Sequence, residues 1–109
     1  MSNDTQRIRA LNDELRQHLI GGLAVMTPGV AALGQQVVER IVKTIAIFDD
    51  FHHANDPHQE HDFGSFDTDG ETIMFKIDYY DKTLTCHSPD PVDPTVTERV
   101  ITIMLASEY

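Results

Sequence analysis

The run ETIMFKIDYY, residues 71–80, alternates strictly: Ile73, Phe75, Ile77 and Tyr79 fall on one side of an extended chain, Met74, Lys76, Asp78 and Tyr80 on the other. A period of two is the pattern of a strand with one face on a core. Thr68-Asp69-Gly70 supplies a tight turn just before it, so residues 61–66 are expected to pair with it as a hairpin. A lone hairpin is marginal in water, so the remaining chain must cover its apolar face.

Two helical patterns are available for that. Ile8, Leu11, Leu15 and Leu19 recur at spacings of three and four, with Ser2, Asn3 or Asp4 as cap and Gly21-Gly22 as stop. From Val30 the chain reads as helical again, broken at Gly34, with Val38, Ile41, Val42, Ile45 and Phe48 on one face. Between them Leu23 to Met26 reads as a short buried strand. Residues 51–60 hold Asn-Asp-Pro and no periodicity, and read as a loop. After Asp81-Lys82, Thr83 to His87 is expected as a further strand. The prolines of SPDPVDP bar an interior strand. Asp93 and Pro94 then open a last helix with Val96, Val100, Ile103 and Met104 on one face. The expectation is one α+β domain over residues 1–109, in the order α-β-α-β-β-β-α, with a small antiparallel sheet of three to four strands packed against helices.

Charge narrows the partners. Of 8 basic and 18 acidic side chains, residues 1–48 hold five and four, and residues 49–109 hold three and fourteen. An acidic field of that size repels phosphates, so direct nucleic-acid binding is not expected. It suits solubility, a hard cation, or a basic protein surface that normally holds nucleic acid. No apolar run approaches a membrane span, the start MSNDTQRIR has no secretory core, and Cys86 has no partner for a disulfide. A cytoplasmic location without membrane contact is the expectation.

The segment HHANDPHQEHDFG, residues 52–64, gathers His52, His53, His58 and His61 among Asp56, Glu60 and Asp62. Imidazole and carboxylate suit a divalent metal, and the candidate ligands are His61, Glu60, Asp62 and Asp56. The spacing matches no zinc template, because Pro57 opposes a helix through His58 and His61. Aligning Gly70 with the glycine of a calcium loop puts Lys76 where a bidentate Glu is required, so that template fails as well. A carboxylate set against His61 would suit acid/base work, and an ordinary hydrogen-bond network would use the same residues. Cys86 and His87, adjacent in an extended run, point to opposite faces and do not make a nucleophilic pair.

The strings NDP, EHDFG, KIDYYD, SPDP and TERVITIMLASEY, with RIRALND near the start, together resemble a bacterial family of small stand-alone proteins, domain of unknown function 3768. The resemblance runs from Arg7 to Tyr109. It implies no catalytic residues, and it implies frequent occurrence on plasmids, prophages and other mobile elements. The family pattern corresponds to Asn55, Asp56, Pro57, Glu60, His61, Asp62, Phe63 and Gly64, and leaves His52, His53, His58 and Cys86 outside it.

Three readings of function follow. The first is an acidic, non-enzymatic interaction protein of phage or plasmid origin that binds and inhibits a nucleic-acid-binding host complex of the CRISPR or restriction kind. Its carboxylates would occupy the groove nucleic acid would use, through Asp67, Asp69, Glu71, Asp78, Tyr80, Asp81, Asp90 and Asp93. It needs no cofactor. The second is a small metal-binding protein or metal-dependent hydrolase centred on His61, Glu60 and Asp62. The third is a structural subunit, for which self-association through the acidic half is disfavoured by like charge.

Overall fold

The computed structural model describes residues 2–109. Helix α1 spans Asn3–His18, strand β1 Leu23–Met26, the single turn α2 Pro28–Ala31 and helix α3 Gln35–Ile47. Strands β2 (Phe63–Thr68), β3 (Glu71–Tyr80) and β4 (Glu98–Leu105) follow, and a 3-10 turn over Ala106–Glu108 closes the chain. The sheet order is β1-β4-β3-β2, with β1 parallel to β4 and the other pairs antiparallel. The expected α+β class stands and the element order fits roughly, while the sheet is mixed rather than wholly antiparallel.

The hairpin forms as its pattern requires. Phe66 pairs with Ile73 and Thr68 with Glu71, leaving Asp69 and Gly70 as a two-residue turn with φ of 52° and 80°. Positive φ at both positions matches the right-handed twist of the strands, and Asp-Gly is the pair that tolerates it. Ile73, Phe75 and Ile77 face the helices and are buried. Gly64, opposite Phe75, has no room for a side chain: a Cβ there would lie 2.5 Å from the Phe75 ring and 2.6 Å from that of Phe48.

The C-terminal third departs from expectation. Residues 98–105 form β4, the strand between β1 and β3, and not a helix. Val96, Val100, Ile103 and Met104 do fit a helical face. However, Arg99, Ile101, Ile103 and Leu105 fit an alternating one equally well, and Val100, Ile101, Thr102 and Ile103 are all β-branched. Burial between two neighbouring strands decides the matter. Asp93 caps only a turn, accepting from the backbone N and Oγ1 of Thr95.

Thr83 to His87, expected as a strand, is a turn instead. The Asp81 carboxylate accepts from the backbone N–H groups of Thr83 and Thr85 and pulls the chain round, and only His87 bridges back to Tyr80. A third strand does follow the hairpin, but it is β4 and not 83–87, and the helix expected after Pro94 is absent among the described residues.

Helices α1 and α3 cover one face of the sheet. Leu15, Val30, Ile41 and Ile45 meet Ile73, Phe75, Ile77, Ile101 and Ile103 there. Ser2 caps α1, and Leu19, in a left-handed conformation with φ of 56°, ends it before Gly21-Gly22 is reached. Gly34 separates α2 from α3 as expected. Strand β1 is a correction: all four of its residues are exposed, because it is the edge strand beside β4 and no strand lies beyond it. Glu108 fastens the C-terminal turn across the fold, accepting from Thr27 Oγ1, the Gly29 N–H and the Leu105 N–H.

Candidate functional site

The histidine loop is built on Asp56. Its carboxylate is buried and accepts from the backbone N–H groups of Glu60 (2.9 Å) and His61 (3.1 Å). Asn55 braces the preceding turn, donating to the carbonyl of Asp50 and accepting from the N–H of His52. The chain reverses through Gln59 and His61, both left-handed with φ of 60° and 55°. Such positions disfavour residues with a Cβ. The paired amides on Asp56 hold the backbone in this shape.

That reversal lays the His61 ring flat on Phe51, with centroids 3.9 Å apart and planes 5° apart. Its Nδ1 meets Asp13 Oδ1 at 2.9 Å, and its Nε2 lies 3.8 Å from Asp56 Oδ2. Asp13 can only accept, so Nδ1 is the donor in this contact and Nε2 faces Asp56. A shallow cleft of about 220 Å³ adjoins it, lined by Arg9, His52, His53, Asp56 and Gln59 as well as Phe51 and His61.

Asp13 also accepts from Arg16, at 3.0 Å. The Arg16 guanidinium is buried, donates to the carbonyls of Ile45, Ala46 and Phe48 at the end of α3, and stands 5.2 Å above the Phe51 ring. Carbonyls left open at a helix C-terminus favour such a cation. One turn away on α1, fully buried Asn12 donates to the Glu60 carbonyl (3.0 Å) and Tyr79 Oη (2.7 Å), and its Oδ1 accepts from Arg99 Nε (2.8 Å). Tyr79 Oη donates to Glu60 Oε1 at 2.8 Å. Arg99, the largest fully buried side chain, also donates to the Pro91 carbonyl and stacks on Tyr79. Burial pushes the Tyr79 phenol well up, with Glu60 adding to it, and draws the Arg99 guanidinium down. These contacts tie α1, the loop and the central strands into one polar assembly under the histidines.

The four candidate metal ligands are not brought together. Asp56 and His61 approach each other, but Glu60 is held by Tyr79. Among the described residues no three His, Cys, Asp or Glu side chains gather as a metal set. Asp62 sits beside Glu60 and Asp56, and burial, with Glu60 next, raises its carboxyl. A group whose folded pKa exceeds its unfolded value penalises folding while ionised; the penalty shrinks as pH falls through the folded value and is gone below the unfolded one. Asp62→Asn is therefore expected to raise Tm at pH 7 by about 2–4 °C, with the gain shrinking towards pH 4 in melts followed by circular dichroism.

The acidic residues separate into two groups. Asp67, Asp69 and Glu71 lie at the hairpin tip, where Asp69 pairs with Arg40 at 2.6 Å, which holds its carboxyl below the usual range. Asp78, Tyr80 and Asp81 lie at the far end of β3, about 30 Å away by strand rise. The loop carrying Asp90 and Asp93 returns beside them through Ser88, which donates to the Tyr79 carbonyl. Asp78 and Tyr80 face away from the helices as their alternation requires, and Asp78 pairs with Lys76 at 3.2 Å. Hydrogen bonds from Thr83 and Thr95 hold Asp81 and Asp93 below the ordinary carboxylate range.

Asn12, Asp13, Arg16 and Arg99 were not legible as site residues. The one signal was Asn12, which falls between Ile8 and Leu15 on the buried stripe of α1. No helix among the described residues is long and apolar enough to cross a membrane. Searches of curated proteins and of solved structures return no match. The family model described as "Protein of unknown function (DUF3768)" matches residues 26–108, most of the chain, and the protein therefore belongs to that family.

Proposed function

We propose that this protein is a non-enzymatic acidic binding module that engages a basic surface on a nucleic-acid-binding complex and competes there with nucleic acid. The observation that carries the reading is the carboxylate group at the far end of β3. Asp81 and Asp93 are held in place by hydrogen bonds from their own loops and kept ionised, and Asp90 stands exposed nearby. Charge fixed in this way loses little side-chain entropy on meeting a lysine- or arginine-lined groove. Tyr80, on the same end, offers a partly exposed ring to such a groove. The polar assembly around His61 serves, on this reading, to hold the loop and sheet rigid behind that surface.

Affinity capture from nuclease-treated bacterial lysate, with the protein immobilised, tests this. Nucleic-acid-binding proteins should be retained at about 50 mM salt, be lost at about 300 mM, and be displaced by added duplex DNA. An Asp78→Asn/Asp90→Asn/Asp93→Asn variant, which keeps shape and removes charge, should retain several-fold less. Capture that ignores salt, DNA and these substitutions would overturn the proposal.

A further inference from the structure

The exposed strand β1 and its flanks form an apolar surface. Residues 17–38 contain no Asp, Glu, Lys or Arg, in a chain of net charge −10. Within that stretch Leu19, Ile20, Leu23, Val25 and Met26 are each exposed by more than two-fifths. Between β1 and the helices runs an apolar groove of about 140 Å³, walled by Leu19, Ala24, Met26, Val42 and Ile45.

The backbone of β1 is half used. Thr27 donates its N–H to the Ile103 carbonyl, so its alternate neighbours Val25 and Leu23 also turn their polar groups to β4. Ala24 and Met26 consequently direct theirs outward, where no strand lies. Such an edge is a template for another strand, and folds commonly guard it with lysine or inward charge. β1 has neither. The opposite edge, β2, is flanked by Asp62 and carries Asp67, so two copies meeting there would repel.

We infer that the β1 edge is the contact between two copies of this chain, which pair antiparallel about a two-fold axis through Val25 to give one continuous eight-stranded sheet. In that register Ala24 of each copy faces Met26 of the other, and the outward groups form four N–H···O bonds. Val25 meets its own symmetry mate across the non-hydrogen-bonded position. A second copy fits better than another occupant on three counts. The pairing is self-complementary, as a two-fold contact must be. Residues 17–38 carry no Asp, Glu, Lys or Arg, so two chains of this net charge meet there without like charges opposed. The exposed apolar side chains around it, Leu19, Ile20, Leu23, Val25 and Met26, are withdrawn from water on both copies at once.

Sedimentation velocity on the full chain, from about 1 to 200 μM, should show a monomer–dimer equilibrium. Val25→Glu and Val25→Lys, each placing like charges face to face, should both weaken it at least tenfold while circular dichroism stays native. Because the two change net charge in opposite directions, a shared effect locates the contact. In a Cys86→Ser background, Val25→Cys should oxidise to a covalent dimer, and Leu84→Cys, equally exposed but remote, should not. A monomer throughout the range overturns the inference, as does a dimer that either charge variant leaves intact or that Val25→Cys fails to cross-link. None of these readouts depends on the acidic surface.

Discussion

Asn12→Leu is expected to destabilise the protein by about 3–4 kcal/mol, measured by urea unfolding at pH 7. Leucine fits the volume of a buried asparagine, so little of this arises from packing. The loss comes from what Asn12 leaves behind. Arg99 Nε loses its acceptor in the interior, and the carbonyl of Glu60 loses its donor. Tyr79 keeps Glu60 as an acceptor but no longer receives a hydrogen bond. A buried group without a partner costs about 1–3 kcal/mol, and the charged Arg99 belongs at the upper end. Tyr79→Phe, which removes only the hydroxyl, should cost about 1–2 kcal/mol. The two substitutions share a hydrogen bond, so the double variant should lose less than their sum by about 1 kcal/mol. Strict additivity would show that Asn12 and Tyr79 do not act as one network.

The same residue marks where sequence reading stops. The β2–β3 hairpin was legible because its alternation and its Asp-Gly turn agree, and local preferences there need no distant partner. β4 was not, because Val96 to Met104 satisfies two periods at once, and only its position between β1 and β3 selects the strand. β1 was legible as a strand but not as an edge, since four apolar residues look alike whether covered or bare. At the site, Asp56 and His61 stood out by composition. Asp13 and Asn12 did not: they reach the loop from 48 residues away, and nothing in RIRALND distinguishes a polar residue facing solvent from one facing a buried tyrosine. Hydrogen bonds satisfied over such distances leave no spacing to read.

Arg16 gives the second large expected effect. Arg16→Met keeps most of the apolar stem and removes the guanidinium, and it should cost about 3 kcal/mol in the same urea measurement. The carbonyls of Ala46 and Phe48 lose their donor, that of Ile45 keeps only the Phe48 N–H, the Phe51 ring loses its cation, and Asp13 is left with His61 alone. The Ile45 carbonyl is buried, where water does not take the guanidinium's place. Lysine should not rescue the loss: its ammonium is a point charge and cannot reproduce the fan of donors that reaches Ile45, Phe48 and Asp13 at once. Arg16→Lys is therefore expected to recover less than half of the stability. Hydrogen exchange gives the decisive readout. Loosening the cap should raise amide exchange in residues 45–52 and at His61, whose N–H bonds Asp56, while the amides of the β2–β3 hairpin change only in proportion to global stability. Uniform acceleration over the whole chain would mean that Arg16 supports the core and not this junction.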